Sequence, residues 1–318
     1  MSIVVVFDRY GPPEVLRPAS VDVPAPGTGE VRVRVITAGV NPVDAKVRRG
    51  DLAHVMDPTF PQTLGNEFAG IVEAAGADVT DLKRGQDVLG FTTLTAYAES
   101  VTVPVGDVTP KPDALPWRVA GALSAAGQMA HHAIDTLEVG PGDTLLVHAA
   151  AGGVGTVAVQ LARRRGATVL GTASPRNHDY LRSLGALPIS YGAGLTDRIR
   201  DQAPHGVDAV LDAAGRGALD ASQPVAADPA RIVTTVDDTA AARLEAQRLR
   251  GARSATVLAE LAGLAAAGDL QLPIHLSVPL RDAARAHRVI GGGHLRGKVV
   301  LEVSPPARHG GTEPWHDS

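Results

Sequence analysis

The chain opens with short stretches in which apolar and polar positions alternate. Val31 to Val35 reads Val-Arg-Val-Arg-Val, the two-residue period of a half-buried strand. Phe68 to Ala74, Asp87 to Phe91 and Glu99 to Val103 are further short β-rich runs. Gly11-Pro12-Pro13, Pro24-Ala25-Pro26-Gly27, Gly29 and Gly85 punctuate them as turns. The pattern predicts a sandwich or irregular barrel up to about residue 120.

The period then changes. Residues 119–134 are Ala-rich and helix-like. Strand-like and helix-like segments follow in turn: Asp143 to His148, Val154 to Arg165, Thr168 to Thr172, Asp179 to Leu184, Pro188 to Ser190, Leu195 to Gln202, Ala209 to Asp212 and Arg231 to Thr234. Such alternation predicts a parallel sheet with crossover helices. The β character returns in Leu272 to Val278 and Lys298 to Val303, with a helix expected from Leu280 to Ile290. Ser304 to Ser318 has no period and reads as a mobile tail, Trp315 included. No internal repeat of fixed period is visible.

Composition narrows the function. A length of 318 residues suits two domains, and 44% hydrophobic content allows a sizeable core. With 3% aromatic residues, that core must be built from Ala, Val and Leu. Lys+Arg 30 against Asp+Glu 34 leaves a net charge of -4, which argues against a nucleic-acid partner held by bulk electrostatics. There is no cysteine, so no disulfide, thiolate metal site or thiol nucleophile can form. Asp8 and Arg9 follow the first apolar run directly, unlike a signal peptide, and no stretch approaches the ~18 apolar residues of a membrane span. The expectation is a soluble cytoplasmic protein with a small-molecule substrate and no membrane partner.

The strongest chemical signal is His148-Ala149-Ala150-Ala151-Gly152-Gly153-Val154-Gly155, between the strand DTLLVH and the helix VAVQLARRR. It reads Ala150-x-Gly152-x-x-Gly155 where the dinucleotide fingerprint has Gly-x-Gly-x-x-Gly. The middle glycine lets backbone approach a pyrophosphate, the last lets helix pack close to strand, and N–H groups at the helix start meet the phosphates. Ala150 departs at the first glycine, which is tolerable at negative φ. Alone the pattern fits any tight strand–helix turn; strand, helix and second strand at correct spacing favour a dinucleotide. That second strand ends Gly171-Thr172-Ala173-Ser174, followed by Pro175, Arg176 and Asn177. No acid is present to hold a ribose 2′-hydroxyl, whereas a hydroxyl and a cation suit a 2′-phosphate, so NADPH is expected over NADH. The alternative is that Arg176 is merely a solvated residue at a helix start.

Taken together, the motifs resemble those of the zinc-independent medium-chain dehydrogenase/reductase family, of the quinone oxidoreductase and enone reductase type. They run from residue 1 to about 303: Ala38-Gly39-Val40-Asn41-Pro42-Val43-Asp44, Gly65-Asn66-Glu67-Phe68-Ala69-Gly70, Asp87-Val88-Leu89-Gly90-Phe91, Ala96-Tyr97-Ala98-Glu99, the glycine turn, Val169 to Ser174, Val207 to Asp212, and Gly297 to Val303. The resemblance implies an α/β fold in which a doubly wound parallel Rossmann sheet is inserted in a GroES-like, β-rich catalytic domain. Residues 1–121 and 271–303 would form the catalytic domain, 122–270 the NADPH-binding domain and 304–318 a flexible tail. Homodimers are usual in the family, by edge pairing of the Rossmann sheets; here Arg253 to Val257 is the expected strand, though poor in apolar residues.

Zinc-dependent relatives place a Cys, a His and a carboxylate where this chain has Asn41, Asn66 and Glu67. With no Cys, no metal is expected, and Glu67 is expected to accept hydrogen bonds beneath the cleft. Alcohol oxidation is disfavoured without a Lewis acid. Reduction of a quinone or conjugated C=C is easier: it needs close positioning and hydrogen-bond donors to the oxygen that gains charge. The resemblance places Asn41 beside nicotinamide and substrate, with Asp44 and Lys46 lining or supporting the cleft and Lys46 a candidate enolate donor. The plainer alternative is a surface ion pair between Asp44 and Lys46; Arg48 and Arg49 read as solvated. Cofactor contacts are expected from Ala151, Gly152, Gly153, Val154, Gly155, Thr172, Ser174, Arg176, Asn177 and Tyr191, and from Met129, which stands where the family usually has Thr. His131, where the family usually has Trp, reads as structural. Three functions remain open: an NADPH-dependent reductase of quinones or enones, a tailoring enone reductase of polyketide-like metabolism, and a non-catalytic nucleotide-binding protein.

Overall fold

A computed structural model describes residues 1–55, 59–251 and 253–306. Six parallel strands form one sheet, in the order Leu187–Ser190, Thr168–Ala173, Thr144–His148, Ala209–Asp212, Ile232–Thr234, Gln247–Arg248. The chain leaves Thr144–His148 in one direction and later returns to its other side at Ala209–Asp212. That reversal makes the ends of these two strands the switch point where an open parallel sheet binds ligands. The apolar strands are buried on both faces, as covering helices require.

A second sheet runs Ile274–Pro279, Lys298–Glu302, Glu30–Val40, Glu67–Ala75, Asp87–Phe91, Val108–Pro110, with Ser100–Pro104 also on Glu30–Val40. A small third sheet joins Ser2–Phe7, Arg17–Val21 and Gln62–Thr63. Helix Trp117–Thr136 packs on one side against the second sheet and on the other against helices Gly153–Arg164 and Ala255–Ala266; Thr37 Oγ1 donates to the Trp117 carbonyl at 2.6 Å, and a Cβ at Gly121 would overlap Thr37. Residue 121 therefore lies within a continuous helix rather than at a break. The strand expected over Arg253 to Val257 is not formed. Ser254 instead caps helix Ala255–Ala266, accepting from the Val257 N–H, while its own N–H donates to Gln128 Oε1 at 2.6 Å. Most of the expected tail, residues 307–318, lies outside the described residues; the Pro305 carbonyl accepts from Arg34 at 3.0 Å. Among the described residues no helix is long and apolar enough to cross a membrane.

Directional hydrogen bonds fix the end of the central parallel strand. Ser222 Oγ donates to the Ala218 carbonyl at 2.8 Å, so the 2.6 Å contact to His148 Nε2 needs the imidazole to donate. His148 Nδ1 then accepts from Thr172 Oγ1 at 3.2 Å, and that oxygen accepts in turn from the Ala149 N–H at 3.3 Å. Each atom has its partner only if His148 is neutral. Burial pushes this imidazole down to about 4, against the pull of Asp212. Burial also pushes His287 down to about 3, aided by Arg48 and Arg49. Both folded values lie below the unfolded ~6.5, so the unfolded chain binds the protons first and stability falls as pH drops below ~6.5. At pH 5 the loss is about 2 kcal/mol per histidine. Urea unfolding at pH 7.5 and 5 should show it, and His148→Asn should remove close to one proton from the slope. A flat profile would contradict the assignment.

Candidate active site

Antiparallel register brings three strand ends together. Val299 faces Val40 and Ala38 faces Phe68, so Lys298 comes opposite Asn41 and Glu67 opposite Gly39. Gly39 leaves the room: a Cβ there would overlap the Glu67 carboxylate. Glu67 is fully buried, and its Oε1 accepts from Lys298 Nζ at 2.7 Å and from Asn41 Nδ2 at 2.8 Å. Its Oε2 accepts from the Ala125 N–H at 2.7 Å. Lys298 also donates to Asn41 Oδ1. Glu67 thus accepts hydrogen bonds as expected, while Lys298 is a partner that reading of the motifs did not single out.

These contacts orient the Asn41 amide. Oδ1 is taken by Lys298 and one Nδ2 hydrogen by Glu67; among the described residues the second has no acceptor. The Lys298 stem lies against Gly153, where a Cβ would approach its Cδ to 2.8 Å. One side chain therefore links the glycine turn to Asn41. Asn41 is also the N-cap of helix Pro42–Arg49, and its backbone N–H donates to Asp44 Oδ2 at 2.8 Å. Asp44 is fully buried and accepts from Asn66 Nδ2 at 2.8 Å, so the surface ion pair with Lys46 is not formed. Burial pushes its carboxyl up to about 6, opposed by the Asn41 N–H, Lys298 and Tyr97. Lys46 is half-buried and stands near Asp51 and Asp238, carboxyls lowered first by Arg49 and Arg248 and in smaller part by Lys46. Arg49 is exposed as expected, but Arg48 is buried with 3% of its surface exposed, because it shares the inward helix face with Asp44 one turn earlier.

The glycine turn begins with Ala149 at φ 53°, so the left-handed residue is Ala149 and not Ala150. Ala150 is buried and its N–H donates to the Thr172 carbonyl at 3.0 Å. The Ala151 carbonyl accepts from the Gly297 N–H at 2.9 Å. Helix Gly153–Arg164 starts at Gly152 without a side-chain cap, leaving the Gly153 and Val154 N–H groups at its mouth. At Gly155 a Cβ would run into the Ala149 carbonyl. Met129 is half-buried on helix Trp117–Thr136, close to Gly251.

At the end of the second strand, Ser174 Oγ accepts from Asn177 Nδ2 at 3.3 Å. Asn177 Oδ1 accepts from Arg296 at 3.0 and 3.1 Å, and that guanidinium covers the Tyr180 ring at 4.8 Å. Arg176 donates to the His294 carbonyl at 2.7 Å, and Tyr191 Oη meets His294 Nδ1 at 3.1 Å. Among the described residues, Arg176 and Arg296 have only neutral partners. Two guanidiniums without a carboxylate beside a helix mouth fit a dinucleotide carrying an extra phosphate. The cleft does not fit zinc. Asn41 and Glu67 already clasp the Lys298 ammonium, Asn66 is spent on Asp44, and zinc takes thiolate and imidazole with its carboxylates. Among the described residues no group of three or more His, Cys, Asp or Glu could hold a metal ion.

Residues 27–113 match the alcohol dehydrogenase GroES-like domain family and residues 184–301 the zinc-binding dehydrogenase family. The structure of the quinone oxidoreductase from Coxiella burnetii superposes with a TM-score of 0.88 at 31% identity, covering 96% of this chain and 100% of that one. The Escherichia coli quinone oxidoreductase complexed with NADPH gives 0.82 at 25%, covering 94% and 99%. A mycocerosic acid synthase-like polyketide synthase of Mycobacterium tuberculosis is 31% identical over 319 residues, which is 93% of this chain and 15% of that protein. The chain spans about half the length, or less, of several curated relatives it matches. Fold, motifs and relatives agree: the chain belongs to the medium-chain dehydrogenase/reductase family, with an α/β fold of Rossmann and GroES-like parts.

Breaking the buried pair tests its energetics. Lys298→Met leaves the Glu67 carboxylate without its cation and should cost about 3 kcal/mol or more in urea unfolding. Adding Glu67→Gln should restore at least half of that. Equal stability of wild type and Lys298→Met would show the pair to be solvated.

Proposed function

We propose that this protein is an NADPH-dependent reductase of quinones or α,β-unsaturated carbonyls that works without a metal. The observation carrying the proposal is the buried Lys298, which joins the glycine turn to an Asn41 amide whose remaining N–H has no acceptor among the described residues. NADPH, when bound, supplies the hydride. The glycine turn offers N–H groups to its phosphates, and Ser174, Arg176 and Arg296 form a basic end suited to the 2′-phosphate, with Tyr191 beside it. Asn41 donates its second Nδ2 hydrogen to the substrate oxygen that becomes negative. Lys298 and Glu67 hold that amide in one orientation, so no reorganisation is needed as charge develops. Asp44 holds the Asn41 backbone, and Lys46 stands at the rim among carboxylates. Met129 borders the space on helix Trp117–Thr136.

The likeness to a polyketide synthase over nearly the whole chain favours a second, narrower reading, in which the conjugated carbonyl belongs to an acyl thioester. A panel of quinones, enones and enoyl thioesters, followed by loss of NADPH absorbance, separates the two. Gly153→Asp should abolish turnover, because its side chain would press on the Lys298 stem and set a carboxylate at the phosphate-facing helix start. Arg296→Ala and Arg176→Ala should each raise KM for NADPH about tenfold, the worth of one charge-assisted hydrogen bond, and leave KM for NADH within about twofold. NADPH binding without turnover on any substrate would favour a non-catalytic role. Unchanged turnover in Gly153→Asp would overturn the proposal.

A further inference from the structure

A second buried chain lies beneath Asn41, and hydride transfer as proposed above does not use it directly. Asp44 Oδ2 accepts from the Asn41 N–H at 2.8 Å and from the Tyr97 hydroxyl at 3.2 Å. Asp44 Oδ1 accepts from Asn66 Nδ2 at 2.8 Å and from the Gly65 N–H at 3.3 Å. Tyr97 is fully buried, and its oxygen also meets His287 Nε2 at 3.2 Å, with the two rings edge to face at 5.9 Å. The hydroxyl has one hydrogen, and it goes to Asp44. His287 Nε2 must therefore be the donor to Tyr97, which fixes the tautomer and leaves Nδ1 with a lone pair.

That arrangement runs against ordinary packing. His287 Nδ1 is buried and without a partner among the described residues. So are Nε and Nη1 of Arg48, one helical turn beyond Asp44. A leucine or phenylalanine at 287 would fill this core without an orphaned polar atom. Local rules broken at this kind of cost mark places where the geometry is wanted for something else. Here the gain is a directional chain, His287 to Tyr97 to Asp44, ending on two residues of the cleft. Asp44 holds the N-cap backbone of Asn41 and the side chain of Asn66 at once, and a misplacement of about 1 Å at a reacting centre can cost a hundredfold in rate.

We propose that Tyr97 and His287 are positioning residues for the reaction: through Asp44 they fix Asn41 and Asn66 against the substrate oxygen. The proposal rests on the reading of Asn41 as donor to that oxygen. It is tested with full-length Tyr97→Phe, His287→Leu and His287→Gln on whichever quinone or enone the wild type reduces. Tyr97→Phe should lower kcat at least tenfold, leave the Kd for NADPH within twofold, and raise the primary isotope effect with NADPH deuterated at the transferred position. His287→Leu should do the same, and His287→Gln, which keeps an N–H donor, should recover most of the loss. A kcat within twofold of wild type in folded Tyr97→Phe overturns the proposal. So does an equal loss in kcat and NADPH affinity with an unchanged isotope effect, which is what general loosening gives. Should Tyr97→Phe not fold, the His287 pair decides by the same criteria. A wild type inactive on every substrate overturns the functional reading and this proposal together, whereas an active wild type with indifferent variants overturns this one alone.

Discussion

A single buried ammonium holds the cleft together. Lys298 opens the last strand of the second, mixed sheet, runs its stem over the start of helix Gly153–Arg164 and ends between Asn41 and Glu67. Each neighbour depends on it. Without that cation, Glu67 would be a charge with no exposed surface, and Asn41 would be free to turn its amide over. A buried pair of this kind is poor evidence of stability in itself; its worth lies in specifying one arrangement. The arrangement specified is one orientation of the Asn41 carboxamide, with one N–H that no described residue accepts.

Small residues make room for the arrangement. Gly39 admits the Glu67 side chain, Gly153 the Lys298 stem, Gly121 the close approach of helix Trp117–Thr136 to Thr37, and Gly155 the tight return of helix onto strand. Every one of these is a matter of packing space, and none needs a left-handed backbone. The left-handed residue at the turn is Ala149, whose N–H is tied down by Thr172 and, through it, by the neutral His148. The two ends of the cleft are therefore built differently. The glycine-turn end rests on backbone geometry, and the Asn41 end on a buried polar cluster.

Much of this was legible in the order of residues. The change of period near Ala120 and the strand–turn–helix pattern at the glycine turn predicted the parallel sheet, because they are local patterns with local causes. Glu67 was legible as an acceptor once its neighbours were recognised. Lys298 was not, since it lies 231 residues from Glu67 and meets it only through strand register across an inserted domain. One signal pointed there: only four of the 30 basic residues are lysines, so a lysine at the start of an apolar strand is a departure from the chain's habit. Arg296 was hidden for the same reason of distance. Arg48 was misread because a basic pair at a helix end usually faces water, and only packing against helix Ala283–Gly292 decides otherwise. Arg253 to Val257 was misread as a strand because its serine cap is a tertiary feature, completed by Gln128 from another helix.

The Lys298 ammonium stands between Asn41 and Glu67, where zinc-dependent relatives place metal ligands, and elemental analysis of purified, NADPH-oxidising protein tests its role most directly. The expected result is zinc far below one atom per chain, with turnover unchanged after dialysis against a chelator. Stoichiometric zinc whose removal stops the reaction, and whose return restores it, would contradict the account.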